Sequence, residues 1–261
     1  MLALERRNQI ISILQEQRRV YVGDLARQFQ VSEETIRRDL DRLDRDGIAT
    51  KSYGGAVLNN MDSIDLPFNV RRKNNVPGKL RIAGIAASLI EDGDHIFLDA
   101  STTAVYVAKA IREKRRLTVV TNSIENILEL ADIPDGEIIS SGGRVKEGYL
   151  AFTGPKAVEG LASFNAEKAF VSCKALSLER GIMEGNEEVT QTKLAMMTHA
   201  EKTYLMADLS KFDKKAFSRV CGLDGITGVI TDEMPSAAWL ACFAANGIRL
   251  YCPEENGTLS V

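Results

Sequence analysis

Residues 32–47, Ser-Glu-Glu-Thr-Ile-Arg-Arg-Asp-Leu-Asp-Arg-Leu-Asp-Arg-Asp-Gly, constrain the fold more than any other stretch of the chain. At roughly 100° of rotation per residue, Ile36, Leu40 and Leu43 fall on one side of a helix. Glu34, Arg38, Asp41 and Arg45 fall on the other, with Thr35 and Arg37 on the flanks. Such a helix is held by one face and free to read with the opposite one. Ser32 suits the N-cap and Gly47 the stop. Upstream, Val22, Leu25, Ala26 and Phe29 make a second short apolar stripe, and Gln30-Val31-Ser32 leaves room only for a tight turn. The pair predicts a helix-turn-helix.

A third amphipathic segment carrying Leu4, Ile10, Ile11 and Leu14 precedes these two and closes a small three-helix core. After Gly47, residues 48–57 read as two short strands around Gly54-Gly55, the wing of a winged helix. Candidate DNA contacts are therefore Ser32, Glu34, Thr35, Arg37 and Arg38 on the helix, with Lys51, Ser52 and Tyr53 on the wing. The planar fork of arginine matches guanine edges and phosphates, which lysine cannot copy. A charged module that binds protein instead is the plainer alternative for residues 1–57.

The chain has 261 residues, and at about 150 per domain this leaves ample length for a second core behind a 57-residue module. Lys and Arg number 33 against 36 Asp and Glu, a net charge of −3, so the strong basic field of a sequence-blind DNA coat is absent. Even residues 1–57 are nearly balanced, with ten basic against nine acidic side chains. Specific binding must then lean on base contacts and on pairing reading heads in a homo-oligomer. No run approaches the roughly 20 apolar residues that span a bilayer, and the start shows no secretory pattern, so a cytoplasmic location without membrane association is expected. Cys173, Cys221, Cys242 and Cys252 show no paired short spacing, and only His95 and His199 could join them. Small buried thiols, without metal or cofactor, are the expectation.

Residues 58–78, with Asn59-Asn60, Pro67, Asn74-Asn75 and Pro77-Gly78, read as a linker containing a solvated basic run, Arg71 to Lys73. Residues 79–261 then alternate. Helices are predicted near 82–90, from 102, from 124, near 155–161, 189–200 and 237–245. Strands are predicted at 95–99, 117–121, 137–141, 169–172, 203–207, 229–231 and 248–252. This pattern means an open, largely parallel α/β sheet, whose ligands sit beyond the carboxyl ends of the strands. Three strand ends carry small polar groups in register: Asp99-Ala100-Ser101-Thr102-Thr103, Thr121-Asn122-Ser123 and Ser140-Ser141-Gly142-Gly143. Hydroxyls and free N–H groups at helix starts satisfy phosphate or sugar oxygens, although Ser and Thr also serve simply as caps.

Over nearly its whole length the chain resembles the DeoR-type bacterial transcription regulators. The resemblance rests on Val31-Ser32-Glu33-Glu34-Thr35-Ile36-Arg37-Arg38-Asp39-Leu40 and Gly54-Gly55-Ala56 at the front. Behind these come Pro67-Phe68, Arg71, Lys79, Ile82-Ala83, the 98–103 and 121–123 segments, Gly142-Gly143, Glu188, Lys193, Asp208-Leu209-Ser210-Lys211-Phe212 and Thr231-Asp232. It implies a winged helix-turn-helix followed by a sensor domain similar to ribose-5-phosphate isomerases, answering to a phosphorylated sugar intermediate and usually repressing a catabolic operon. Carried onto this chain, Asp99, Ser101, Thr102, Thr103, Thr121, Asn122, Ser123, Gly142 and Gly143 frame the effector pocket, with Lys79, Lys193 and Lys211 as cationic partners. Scaffold roles stay open beside these: Asp99 as a cap, Gly142 as a turn, Lys193 on a wet helix face.

The chain departs from the family at Ala169-Phe170-Val171-Ser172-Cys173-Lys174-Ala175-Leu176-Ser177, where a Gly-x-x-Gly-Ile-Asp stretch is common and the isomerases have paired acids. Proton shuttling on a sugar needs a carboxylate held near the reacting carbon, which argues against the alternative reading, a sugar-phosphate isomerase or deaminase with an accessory front module. Lys174 either meets an anionic effector or points to solvent.

Overall fold

The computed structural model describes residues 1–59, 66–254 and 257–260, with no side-chain placement described after residue 253. It divides into two compact units, Met1–Asn74 and Asn75–Val261.

In the first unit, α1 (Ala3–Gln17), α2 (Val22–Phe29) and α3 (Glu33–Arg45) pack around Ile10, Ile11, Leu14, Leu25, Ile36, Leu40 and Leu43. The stripe of α1 is shorter than its sequence pattern. Leu4 is exposed, and burial begins at Arg6, whose guanidinium meets the buried Asp39 carboxylate of α3 at 2.5 Å. A left-handed Gln30 (φ 55°) makes the tight turn after α2, with Val31 N–H donating to Ala26 O. Ser32 Oγ then caps α3 by accepting from Thr35 N–H at 3.3 Å. Strands β1 (Arg19–Tyr21), β2 (Ala49–Ser52) and β3 (Gly55–Leu58) form an antiparallel sheet in the order β1-β3-β2. The first of these was not expected from the sequence. Gly55 is dictated by this pairing: a Cβ there would stand 1.9 Å from the Val20 carbonyl oxygen.

The stretch read as a linker contains α4 (Phe68–Lys73), which packs on α1 through the buried Val70, and Val76 already opens the next helix. Alternating apolar spacing too short to register as a period hid this helix. Residues 60–65 of that stretch lie outside the described ones.

The second unit runs α5 (Val76–Ser88), β4 (His95–Leu98), α6 (Thr102–Ala110), β5 (Thr118–Thr121), α7 (Ile124–Leu130), β6 (Glu137–Ser140), β7 (Arg144–Lys146), β8 (Ala151–Thr153), α8 (Pro155–Ala162) and β9 (Ala166–Ser172). It continues with β10 (Ala175–Ser177), β11 (Gly181–Glu184), α9 (Glu187–Thr198), β12 (Ala200–Met206), β13 (Ser218–Cys221), β14 (Gly228–Ile230), α10 (Ala237–Ala245), β15 (Arg249–Glu254) and β16 (Gly257–Ser260). The main sheet has the order β16-β15-β14-β12-β9-β4-β5-β6, and every pair in it is parallel except β15 with β16. Strand residues alternate between two cores. Phe97, Val171 and Leu205 pack with Trp239 and Phe243 on one face; Ile96, Leu98, Phe170 and Met206 pack with Ile82 and Val107 on the other.

From β4 the chain progresses through β5 and β6 toward one edge, and from β9 through β12, β14 and β15 toward the other. Strand order therefore reverses between β4 and β9. In open α/β sheets ligands bind at such a reversal, beyond the carboxyl ends of the strands. Two small sheets, β7-β8 and β10-β11-β13, complete the unit.

Candidate DNA-reading face and effector site

On α3 the apolar residues Ile36, Leu40 and Leu43 are buried and Arg37 and Arg38 are exposed. Each arginine donates to a glutamate one turn earlier, Arg37 to Glu33 at 2.8 Å and Arg38 to Glu34 at 3.2 Å. Ser32 and Thr35 share a hydroxyl contact of 2.9 Å beside them. The wing is tied to the same helix: Lys51 Nζ pairs with Asp41, and Lys51 N–H donates to Asp44 Oδ1 at 3.2 Å. Ser52 and a fully exposed Tyr53 reach the wing tip beside Gly54, whose φ of 77° makes the turn. The eight sequence-predicted contacts thus share one module, seven of them exposed and Thr35 half-buried.

The second site is built at the strand-order reversal. Asp99 follows β4 and is 3% exposed. Its Oδ2 accepts from the Lys193 ammonium of α9 and from Ser172 N–H at the end of β9 (2.8 Å), and its Oδ1 accepts from Ser101 N–H (3.1 Å). Lys193 lies a further 3.3 Å from Glu184 Oε1 at the end of β11. Burial disfavours the Asp99 carboxylate, but Lys193 and the donated hydrogen bonds outweigh it and hold the group below the usual carboxylate range. Burial likewise opposes the Lys193 charge, and Asp99 and Glu184 together overcome that and raise its pKa. One ammonium is thus clamped between two carboxylates. Cys173 sits in the same field, where burial first and Glu184 second push the thiol up to about 12. A protonated lysine and a protonated thiol are poor nucleophiles.

The other expected residues divide into those that build the rim and those that brace it. Ser101 Oγ caps α6 by accepting from Ala104 N–H at 3.0 Å, which leaves Thr102 and Thr103, both 5% exposed, in the first helical turn. Thr121 and Ser123 have no exposed surface: Thr121 Oγ1 donates to Leu98 O at 2.6 Å, and Ser123 Oγ accepts from Asn126 N–H at 3.1 Å. Their hydroxyls fasten the loop. Asn122 donates to Phe152 O at 3.1 Å, holding the β7–β8 hairpin. Gly142 and Gly143 adopt φ of 63° and 112°, and a Cβ on Gly143 would press within 2.8 Å of Thr153 O. Lys79 is buried in the first turns of α5, Lys174 is half-buried between β9 and β10, and Lys211 is half-buried in the short helical turn after Asp208.

Glu184, Ser172 and Asn126 escaped the sequence reading. Asn126 Nδ2 donates to Asp99 O (2.9 Å) and Thr121 Oγ1 (3.2 Å), tying the first two strand ends together. Glu184 takes its place through the small sheet, where β11 pairs with β10 and β13. No local signal marks a glutamate in a strand buried at every position. Among the described residues, no group of three or more His, Cys, Asp or Glu side chains is arranged to hold a metal ion, and no helix is long and apolar enough to cross a membrane.

A winged helix-turn-helix in one unit and a buried charged cluster at a sheet reversal in the other define a DNA-binding regulator with a ligand-sensing domain. Residues 6–62 match the DeoR-like helix-turn-helix domain and residues 74–233 the DeoR C terminal sensor domain. The transcriptional regulator YulB of Bacillus subtilis is 38% identical over 89% of this chain and 90% of its own length. The L-fucose operon activator of Haemophilus influenzae is 33% identical over 86% of this chain and 90% of its own. Further relatives carry repressor names. Among solved structures, ribose 5-phosphate isomerase A from Methanocaldococcus jannaschii shares 13% identity over 70% of this chain and 97% of its own, with a TM-score of 0.41. The chain belongs to the DeoR family of transcriptional regulators. It is a regulator rather than an enzyme, in keeping with the regulator names of its relatives.

Proposed function

We propose that the protein is a cytoplasmic repressor of a sugar-catabolic operon whose grip on operator DNA is set by a phosphorylated sugar. Thr35, Arg37 and Arg38 read base edges, Ser32 and Glu34 border them, and Lys51, Ser52 and Tyr53 hold the backbone beside the groove. In the sensor, Asp99 with Ser101, Thr102 and Thr103 receives sugar hydroxyls, while Lys79, Lys174 and Lys211 supply positive charge for the phosphate. Lys193 keeps Asp99 ionised. Thr121, Asn122, Ser123, Gly142 and Gly143 shape the rim.

The observation that carries this reading is the ionised Asp99 fixed by Lys193, Ser172 and Ser101 at the point where strand order reverses. A carboxylate held there by the scaffold is an acceptor for hydroxyl donors and repels anions, so a phosphosugar must enter with its hydroxyls toward Asp99. The second carboxylate beside it, Glu184, shares the same ammonium, so neither acid stands apart as the base that moves a proton on a sugar carbon. The protein acts as a homo-oligomer, because a nearly neutral head needs doubling to select a site. A coupling of about 1–3 kcal/mol between effector and operator changes affinity roughly 5- to 150-fold. Thermal-shift screening of phosphorylated hexoses, pentoses and their deoxy forms tests it, since a ligand of the folded state raises the melting temperature. A hit that also alters a gel shift of the selected operator supports the reading. Failure of every phosphosugar, alongside a response to another metabolite class, refutes it.

A further inference from the structure

Helices α1 and α3 each bury four residues, and in each helix one of the four is charged: Arg6 beside Ile10, Ile11 and Leu14, and Asp39 beside Ile36, Leu40 and Leu43. The two charged residues meet. Arg6 Nε donates to Asp39 Oδ2 at 2.5 Å and Arg7 Nη1 lies 3.5 Å from Asp39 Oδ1, so consecutive arginines of α1 engage both oxygens of one carboxylate. Asp39 directly follows Arg38 and comes one turn after Thr35, about 40° from it around the helix. Stability alone does not call for charge at this place, because a buried ion pair is generally no better than well-packed apolar side chains of similar volume. What the pair adds is direction.

We propose that Arg6 and Asp39 are positioning residues for base recognition: their pairing sets the rotation of α3 about its own axis, and with it the point at which Thr35 and Arg38 meet the bases. The inference rests on the base-reading role proposed above for those two residues. The aliphatic contacts of Ile36, Leu40 and Leu43 are non-directional, and a small rotation leaves them in place. A hydrogen-bonded carboxylate is less forgiving, since the bond weakens steeply outside a window roughly half an ångström wide and at angles below about 120°. Side chains end about 6 Å from a helix axis, so turning α3 by about 10° carries the reading groups sideways by about 1 Å. That is enough to break a two-pronged match of guanidinium to guanine. Contacts to phosphate survive it, because attraction between charges asks for no exact geometry. The wing also grips α3, through Lys51 and Asp41, but both partners of that pair are exposed and water competes for them. The Arg6–Asp39 pair is buried, and water does not loosen it.

The test uses the full-length protein and two duplexes, one selected from a random pool by wild type and one of the same composition with shuffled sequence. Arg6→Met/Asp39→Leu replaces the pair by apolar side chains and leaves the net charge unchanged. It melts no more than about 5 °C below wild type. It binds the shuffled duplex within about twofold of wild type and with the same salt dependence. Its affinity for the selected duplex falls roughly tenfold or more, the worth of one mis-set base contact. Asp39→Glu keeps both charges and lengthens the arm by one methylene, and it gives a smaller loss confined to the selected duplex. An intact fold with wild-type discrimination overturns the proposal, as does equal weakening on both duplexes. Loss of cooperative melting in both variants overturns it too, by making the pair a support of the fold itself. Arg38→Ala, assayed alongside, separates this inference from the reading beneath it. If Arg38→Ala keeps full discrimination, the base-reading role has failed and the positioning role falls with it; if Arg38→Ala loses discrimination while the pair variants keep it, the positioning role alone has failed.

Discussion

Replacing Lys193 with Met removes the one positive charge between Asp99 and Glu184 while keeping the side chain's length and apolar stem. Asp99 is 3% and Glu184 7% exposed, so neither gains water in exchange. The gross attraction lost is large: at 3.3 Å the Lys193–Glu184 contact alone is worth about 5 kcal/mol at an effective dielectric of 20. Much of that is offset by no longer burying the ammonium, and breaking a buried pair by removing one partner costs about 3–5 kcal/mol net. Against a total stability of about 5–15 kcal/mol, this is severe but survivable. Asp99 retains the N–H groups of Ser172 and Ser101, which favours the lower end of the range.

The pH dependence distinguishes this account from a simple packing defect. In the wild type the folded pKa of Asp99 is depressed and that of Lys193 raised. The Asp99 contribution is therefore present above the unfolded carboxylate value, about 4, and is lost as pH falls through the lower folded value. The Lys193 contribution is present below about 10.4 and is lost as pH rises through its higher folded value. Wild-type stability from the triad is thus full between these limits. In Lys193→Met the buried Asp99 carboxylate loses the ammonium that lowers its pKa and binds a proton more readily, so acid relieves the defect. Urea melts of both proteins at pH 7.5 and pH 5 measure it: the gap between them narrows by about 1 kcal/mol or more at the lower pH. A gap below about 1 kcal/mol at pH 7.5, or one indifferent to pH, refutes the reasoning.

Arg38→Ala weakens operator binding about 5- to 150-fold with the fold intact, which a gel-shift titration and a melting curve check together. Gly55→Ala collides with the Val20 carbonyl, so the β1–β3 pairing opens, and operator binding falls along with the melting temperature of the first unit. Thr103→Ala and Lys211→Ala keep operator affinity and blunt the effector response; an unchanged dose response in both removes them from the pocket. Cys173, with its thiol pushed up to about 12, stays unmodified by a thiol-specific reagent at pH 8 in the native protein and reacts once urea exposes it.

Elements with a full local period were legible from the sequence. The stripe of α3, the cap at Ser32 and the strand-helix alternation from His95 onward each carry a signal within a few residues. What was missed lacks such a signal. Strands β7, β8, β10 and β13 are three or four residues long, and β10 and β11 are buried at every position, so no alternation could mark them. The short α4 hid among turn-forming residues because its apolar contacts, Phe68 and Val70, span less than a helical period.

The same distinction runs through the effector site. Small polar residues at three strand ends looked equivalent in the sequence, yet the structure gives them different work. Asp99 faces a cation and an N–H donor from elements distant in the chain, with a second N–H from its own loop, whereas Thr121 and Ser123 are spent on the backbone beside them. A hydroxyl's role depends on whether its loop needs it, and that is decided by neighbouring strands. The departure at Ser172-Cys173-Lys174 follows the same logic. Ser172 contributes its backbone N–H, which any residue but proline could provide, and the second carboxylate of the cluster arrives as Glu184 through a separate sheet. The stretch where family glycines and isomerase acids were missing is therefore not an empty corner of the site. Its backbone fixes Asp99, and the chain places the second acid one hairpin later, paired with a lysine where it cannot shuttle protons freely.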